Sequence, residues 1–199
     1  MLLFHRVHVD VAKMLIENGA DVNAVDGRKW TALHLVSQKG HVDVAKVLLE
    51  NGADVNAVDE IERTALHFAA EKGHVDVAKV LIQNGADVNA VNKDKWTALH
   101  YAADSGWSVD VVKILVKNDA DVDAKTSDGD TAFDLAVLRS RAVTSHSEKT
   151  LYMEEKYDDI VKYLKSIAPQ CVFPQSLSHN RRKGDGRRYV RVKKKKDEN

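Results

Sequence analysis

Between Val42 and Glu50 the apolar residues Val44, Val47 and Leu48 fall on one helical face, flanked by Ala45 and Leu49. Asp43, Lys46 and Glu50 occupy the opposite stripe. This is the 3.6-residue pattern of an amphipathic helix half-sunk in a core, and it predicts a helix over roughly 42–50. Upstream, Thr31 is placed to cap a shorter helix over about 32–39, its hydroxyl accepting from a backbone N–H near His34. Gly40 lets the chain turn between the two, and Gly52 sits just past the second, where glycine adopts the left-handed conformation at least cost.

The same pattern returns down the chain. Trp30-Thr31-Ala32-Leu33-His34 recurs as Arg63-Thr64-Ala65-Leu66-His67 and as Trp96-Thr97-Ala98-Leu99-His100. The run from His41 to Ala57 recurs from His74 to Ala90 and appears earlier from His8 to Ala24, always at an offset of 33. A 33-residue period opened by Thr-x-Leu-His resembles the ankyrin repeat, whose pattern is Thr-Pro-Leu-His-x-Ala. The resemblance covers about residues 1–168 and departs mainly at Ala32, Ala65, Ala98 and Ala132, where the family favours the proline that alanine replaces without harm to a helix. It implies an all-α solenoid of stacked helix-turn-helix units, one partial and about four more, followed by a disordered basic C-terminal tail. A single pair cannot bury its apolar face, so units must stack. Small inner-helix residues such as Ala69-Ala70 and Ala102-Ala103 predict that the inner side is concave.

Both ends break the pattern. Met1 aligns with His34, so the first unit lacks most of its inner helix and Leu2, Leu3, Phe4 and Val7 form an apolar edge. Either the chain is part of a longer array or this half-unit is an imperfect cap. The fourth unit carries Trp107-Ser108 in place of one histidine, and Asp119 where the others have Gly52 and Gly85. In the fifth, 16 residues separate the inner-helix opening at Thr131 from its outer-helix match beyond the usual gap. Ser145-x-x-Glu148 reads as a capping box, and apolar spacing from Leu151 to Ile167 predicts one long final helix over about 147–167 after a loop near 141–146. Its polar residues suit a terminal cap facing water. From Pro169 low hydrophobicity and heavy charge predict disorder, which divides the chain into a repeat domain, 1–168, and a tail, 169–199.

Charge changes the picture only when divided along the chain. Thirty basic and 30 acidic residues cancel overall, but positions 180–199 hold ten Lys and Arg against three acids, a net of +7 that leaves −7 on the remainder. Arg181, Arg182, Lys183 and Lys193, Lys194, Lys195 and Lys196 read as a nuclear-import signal, as a patch for nucleic acid or an anionic membrane, or as a solubilising end. The single cysteine, Cys171, permits no intramolecular disulfide, which suits an intracellular protein, cytoplasmic or, through the tail, nuclear.

Enzymatic chemistry is not indicated. Of nine histidines, His8, His34, His41, His67, His74 and His100 recur at the repeat period, so they lie on successive units and do not converge on one metal ion. Their expected role, as for the family's histidine, is hydrogen bonding between units. The carboxylates recur likewise, and no phosphate loop or nucleophile motif is present. No cofactor and no small-molecule substrate are implied.

What varies between units is the segment before each threonine, which the resemblance places on projecting fingers beside the concave face: Gly27 to Trp30, Glu60 to Arg63, Lys93 to Trp96 and Ser127 to Asp130. Trp30, Arg63 and Trp96 occupy equivalent positions, either as an exposed row of binding side chains or each packed on its own finger. Arg28 and Ile61 stand beside them, Lys39 and Lys72 end the inner helices, and Trp107 either extends the surface or covers the irregularity next to it. Lys29, Glu62 and Lys95 replace the glycine the family places two residues before threonine. The partner implied is another protein; nucleic acid or an anionic surface is the alternative, through residues 181–196.

Overall fold

A computed structural model describes the backbone of residues 2–142 and 148–168 and the side chains of residues 8–142 and 153–168. Ser145, the loop expected around it from residue 143 onward, the side chains of the expected edge Leu2, Leu3, Phe4 and Val7, and the tail from Pro169 with all its basic residues lie outside the described residues, whereas residues 141 and 142 of that loop are helical. Every regular element described is a helix: α1 (Leu2–Glu17), α2 (Ala32–Lys39), α3 (Val42–Glu50), α4 (Ala65–Lys72), α5 (Val75–Gln83), α6 (Ala98–Ser105), α7 (Val109–Lys117), α8 (Ala132–Ala142) and α9 (Glu148–Ile167). The inner helices α2, α4, α6 and α8 pack in sequence, as do the outer helices α1, α3, α5, α7 and α9. Their shared core is built from the pattern read above, with Leu33, Leu66 and Leu99 from the inner row and Leu48, Leu81 and Leu115 from the outer.

The threonine and histidine of each opening do what their chemistry requires. The Thr31 N–H donates to His34 Nδ1 at 3.1 Å, so the ring proton sits on Nε2, which donates to the Arg63 carbonyl of the next unit at 3.1 Å. His67 repeats this toward Trp96 at 3.0 Å and His100 toward Ala124 at 3.0 Å. Burial holds all three imidazoles neutral, pushing His67 from 6.5 to about 4 and lowering His34 and His100. His74 joins its neighbour through the Gln38 carbonyl at 3.1 Å, whereas the rings of His8 and His41 lie 5.3 Å apart.

A second ladder runs through the loops behind the outer helices. Asn23 donates to the Gly52 carbonyl and accepts from the Asp54 N–H, at 3.0 and 2.8 Å. Asn56 does the same with Gly85 and Asp87, and Asn89 with Asp119 and Asp121. Asp119 is left-handed, φ 64°, as Gly52 and Gly85 are at 85° and 86°.

The last helix closes the stack by imitating a repeat. An added Cβ on Gly40 would strike the His74 ring, and one on Gly106 would strike the ring of Tyr157. Tyr157 therefore stands on α9 where His74 stands two units earlier, and its hydroxyl donates to the Asp104 carbonyl at 2.9 Å, as His74 bonds Gln38. Arg139 on α8 grips the Asp104 carboxylate with two N–H groups at 2.7 and 3.2 Å. Ile160 and Leu164 follow Tyr157 into the core, while Glu154, Glu155, Asp158, Asp159, Lys162 and Lys165 face water and Lys156 is half-buried.

Candidate functional site

Each finger is a tight turn tied to one polar side chain. Asp26 accepts from the backbone N–H groups of Arg28 and Trp30, at 2.8 and 2.9 Å. Asp59 accepts from those of Ile61 and Arg63, and Asn92 from those of Asp94 and Trp96. In the last finger the Thr126 hydroxyl accepts from Asp130 N–H at 3.2 Å. The bonds from Trp30 and Arg28 hold the Asp26 carboxyl below the usual carboxylate range, the Trp30 bond contributing most. Lys29, Glu62 and Lys95 take φ of 58°, 66° and 59°, so the turn of the glycine form is kept despite their side chains. Neighbouring fingers are stitched together, Glu60 N–H to Arg28 O, Lys93 N–H to Ile61 O and Ser127 N–H to Asp94 O, at 2.9–3.1 Å.

Of the two readings of Trp30, Arg63 and Trp96, the exposed row is the one the structure corrects. Trp30 and Trp96 are each only 8% exposed. The reason is an aromatic neighbour on an inner helix: Phe68 meets Trp30 edge-on at 4.6 Å, and Tyr101 lies 5.1 Å from Trp96. Arg63 is half-buried above the same layer, its guanidinium 4.3 Å from the Phe68 ring and held by the buried Asp59 at 2.8 Å. Its charge is thus already matched within the finger. Burial also pushes the neighbouring Tyr101 hydroxyl up to about 12.

Between the first two fingers and the ends of α2 and α4 lies a groove of about 480 Å³. Trp30 and Phe68 line it, Ile61 stands over it 40% exposed, and Arg28, Arg63 and Lys72 border it. Arg28 stacks 4.5 Å above the Trp30 ring while bonded to Asp26, and Lys72 contacts Glu71 at 3.1 Å. Five of the eight candidate residues therefore converge. Lys39 is exposed but does not line the groove, and Trp96 is packed one unit farther on. Trp107 is 56% exposed at the α6–α7 turn, its Cβ set against Gly73.

Asp59 and Phe68, which fix the groove's Arg63 and its floor, were missed among the candidates. Asp59 had a signal, since Asp26, Asp59 and Asn92 recur at the 33-residue offset. Phe68 had none: Leu35 and Tyr101 fill the equivalent positions.

The family model for ankyrin repeats, in three copies, matches residues 2–92 and 81–171. The chain belongs to the ankyrin-repeat family. Ankyrin repeats generally serve as protein–protein interaction modules, and the family is typically non-enzymatic. No curated protein matches this chain. Among the described residues no histidine, cysteine and carboxylate cluster has the makings of a metal site. No described helix is long and apolar enough to cross a membrane.

Proposed function

We propose that this ankyrin protein is a non-enzymatic binding module whose body, residues 1–168, seats a partner protein across its concave inner-helix side and finger loops. The groove between the first two fingers carries this reading. Its aromatic floor is held rigid by packing, so a partner side chain entering it loses water without requiring the floor to reorder. Ile61 and the stem of Arg28 offer exposed contact area, and Lys72 supplies a charged rim. Outer-helix lysines are poor competitors, because Lys46, Lys79 and Lys113 each face an aspartate three residues earlier at 3.1–3.6 Å.

The test uses the full chain as bait and then quantifies binding of the captured protein. Ile61→Asp and Lys72→Glu are expected to weaken it by about 2 kcal/mol, or some thirtyfold, the scale of an interface hot spot. Lys46→Glu and Lys79→Glu should leave it unchanged. Losses confined to the outer pair would place the binding face on the other side of the stack.

A further inference from the structure

The finger tips alternate in sign. Arg28 and Lys29 make the first positive, Glu60 and Glu62 the second negative, Lys93 and Lys95 the third positive on balance with Asp94, and Asp128 the fourth negative. The bonds from each finger to the next fix this order side by side. No ion pair joins Lys29, Glu60, Glu62, Lys93 or Lys95 to another described residue, although opposite charges flank them. The outer helices behave differently, each lysine meeting its own aspartate. Three of the unpaired residues, Lys29, Glu62 and Lys95, also hold a left-handed conformation in which glycine would sit without strain. Ion pairing within the described residues therefore does not account for these five charges.

We infer that the finger row is a self-complementary surface whose partner is a second copy of this chain, docked antiparallel about a two-fold axis between the second and third fingers. The sequence +, −, +, − read backwards is −, +, −, +, so every finger faces its opposite: first to fourth, second to third. The alternatives are repulsive or satisfy fewer fingers. Parallel stacks in register would set each finger against its own sign, and an antiparallel slip by one finger would oppose like charges throughout. A parallel slip by one opposes three unlike pairs and an antiparallel slip by two opposes two, so only the in-register antiparallel pair satisfies all four fingers. Orientation and register thus both follow from the charge order, an attractive pattern combined with penalties against the wrong ones. Ile61 lies beside the axis, and Val58 and Val91, exposed at 45% and 49% just before the second and third fingers, add apolar area.

This rests on the reading of the fingers as an interface, and a charge exchange tests it separately. In such a dimer Glu62 faces Lys95 of the other copy twice. Sedimentation of the full chain at low salt should show a monomer–dimer equilibrium that weakens as salt screens the contacts. E62K and K95E, both at exposed tips, should each weaken dimerisation about tenfold or more, because two attractions become two repulsions. Mixing the two variants restores every opposed pair, so the mixture should dimerise as the parent chain does. Helical circular dichroism of each variant confirms that the fold is retained. A parent chain that remains monomeric at low salt overturns the inference, as does a mixture no tighter than either variant alone. If the chain is monomeric while Ile61→Asp still weakens a captured partner, only the self-pairing fails. If the mixture dimerises while Ile61→Asp leaves that partner bound, only the groove assignment fails.

Discussion

Leu15 on α1 and Leu164 on α9 occupy corresponding places at the two ends of the stack, yet the first is 53% exposed and the second 2%. Between them Leu48, Leu81 and Leu115 fill the same place with almost no exposure. All five follow the same local pattern, so amphipathic spacing does not decide the difference. What decides it is the neighbours. Helix α9 lies against both α7 and α8, and Tyr157 reaches across to the Asp104 carbonyl. Helix α1 packs on α3, and Val11, Met14 and Leu15 remain in water. Burial in a solenoid belongs to the interface between units, and a repeat acquires it only from the units on either side.

The most direct way to break this comparison is to truncate the same leucine at two places. Leu81→Ala should cost about 3–4 kcal/mol, lost transfer energy plus a cavity among packed neighbours. Leu15→Ala should cost less than about 1 kcal/mol, because its side chain is already half in water. Urea midpoints of the two variants decide the matter, and equal losses would show that α1 is covered after all.

Acid should separate the interior from the α1 end next. His34, His67 and His100 are held neutral in the fold, so the unfolded chain binds more protons once the pH falls below the ordinary histidine value. Their contribution is complete above pH 6.5 and is lost as the pH descends through the lowered folded values. For His67, moving from 6.5 to about 4, the loss approaches about 3 kcal/mol. Stability measured from pH 7 to pH 4 should fall steeply, and His67→Gln should flatten that slope. A slope unchanged in the variant would mean that the inter-unit histidine is not what titrates.

How much of this was legible beforehand depends on where each residue's neighbours come from. Helices α2 and α3 appear at the residues their pattern predicts, because cap, glycine and apolar stripe are local signals. The final helix could be placed from its spacing, but Tyr157 as the stand-in for a repeat histidine could not. It becomes visible only when its hydroxyl is seen on Asp104. The tryptophans teach the converse. Finger position left exposure and packing both open, and Phe68, on the inner helix of the next unit, and Tyr101, on the helix that follows Trp96, turned both rings inward. Asp59 was legible in principle from its period, but its grip on Arg63 was not, since it depends on how the turn folds back.

The capped end can be loosened without emptying its core. Tyr157→Phe keeps the ring against Gly106 and removes only the hydroxyl, leaving the Asp104 carbonyl without that donor. The expected cost is about 1–2 kcal/mol. Amide exchange should quicken in α9 and leave α3 and α5 unchanged. A uniform loss across all helices would instead mean that the cap and interior units unfold as one body.

The smallest effect tests backbone strain in the loop after α7. Asp119 holds φ at 64° in the loop after α7, while Gly52 and Gly85 hold the same loop after α3 and α5. Asp119→Gly should stabilise by about 0.5–1 kcal/mol, because glycine enters the left-handed region without the Cβ penalty. Nothing stabilising is removed: the group that Asn89 bonds is the Asp119 backbone carbonyl, and Gly52 and Gly85 already serve Asn23 and Asn56 in that way. Greater backbone freedom in the unfolded chain offsets part of the gain, which keeps the expected shift below that of any core truncation. The denaturation midpoint should rise, and exchange in α1 should not change, since the strained loop lies three outer helices away. A midpoint that stays level or falls would show that Asp119 stabilises this loop through its side chain.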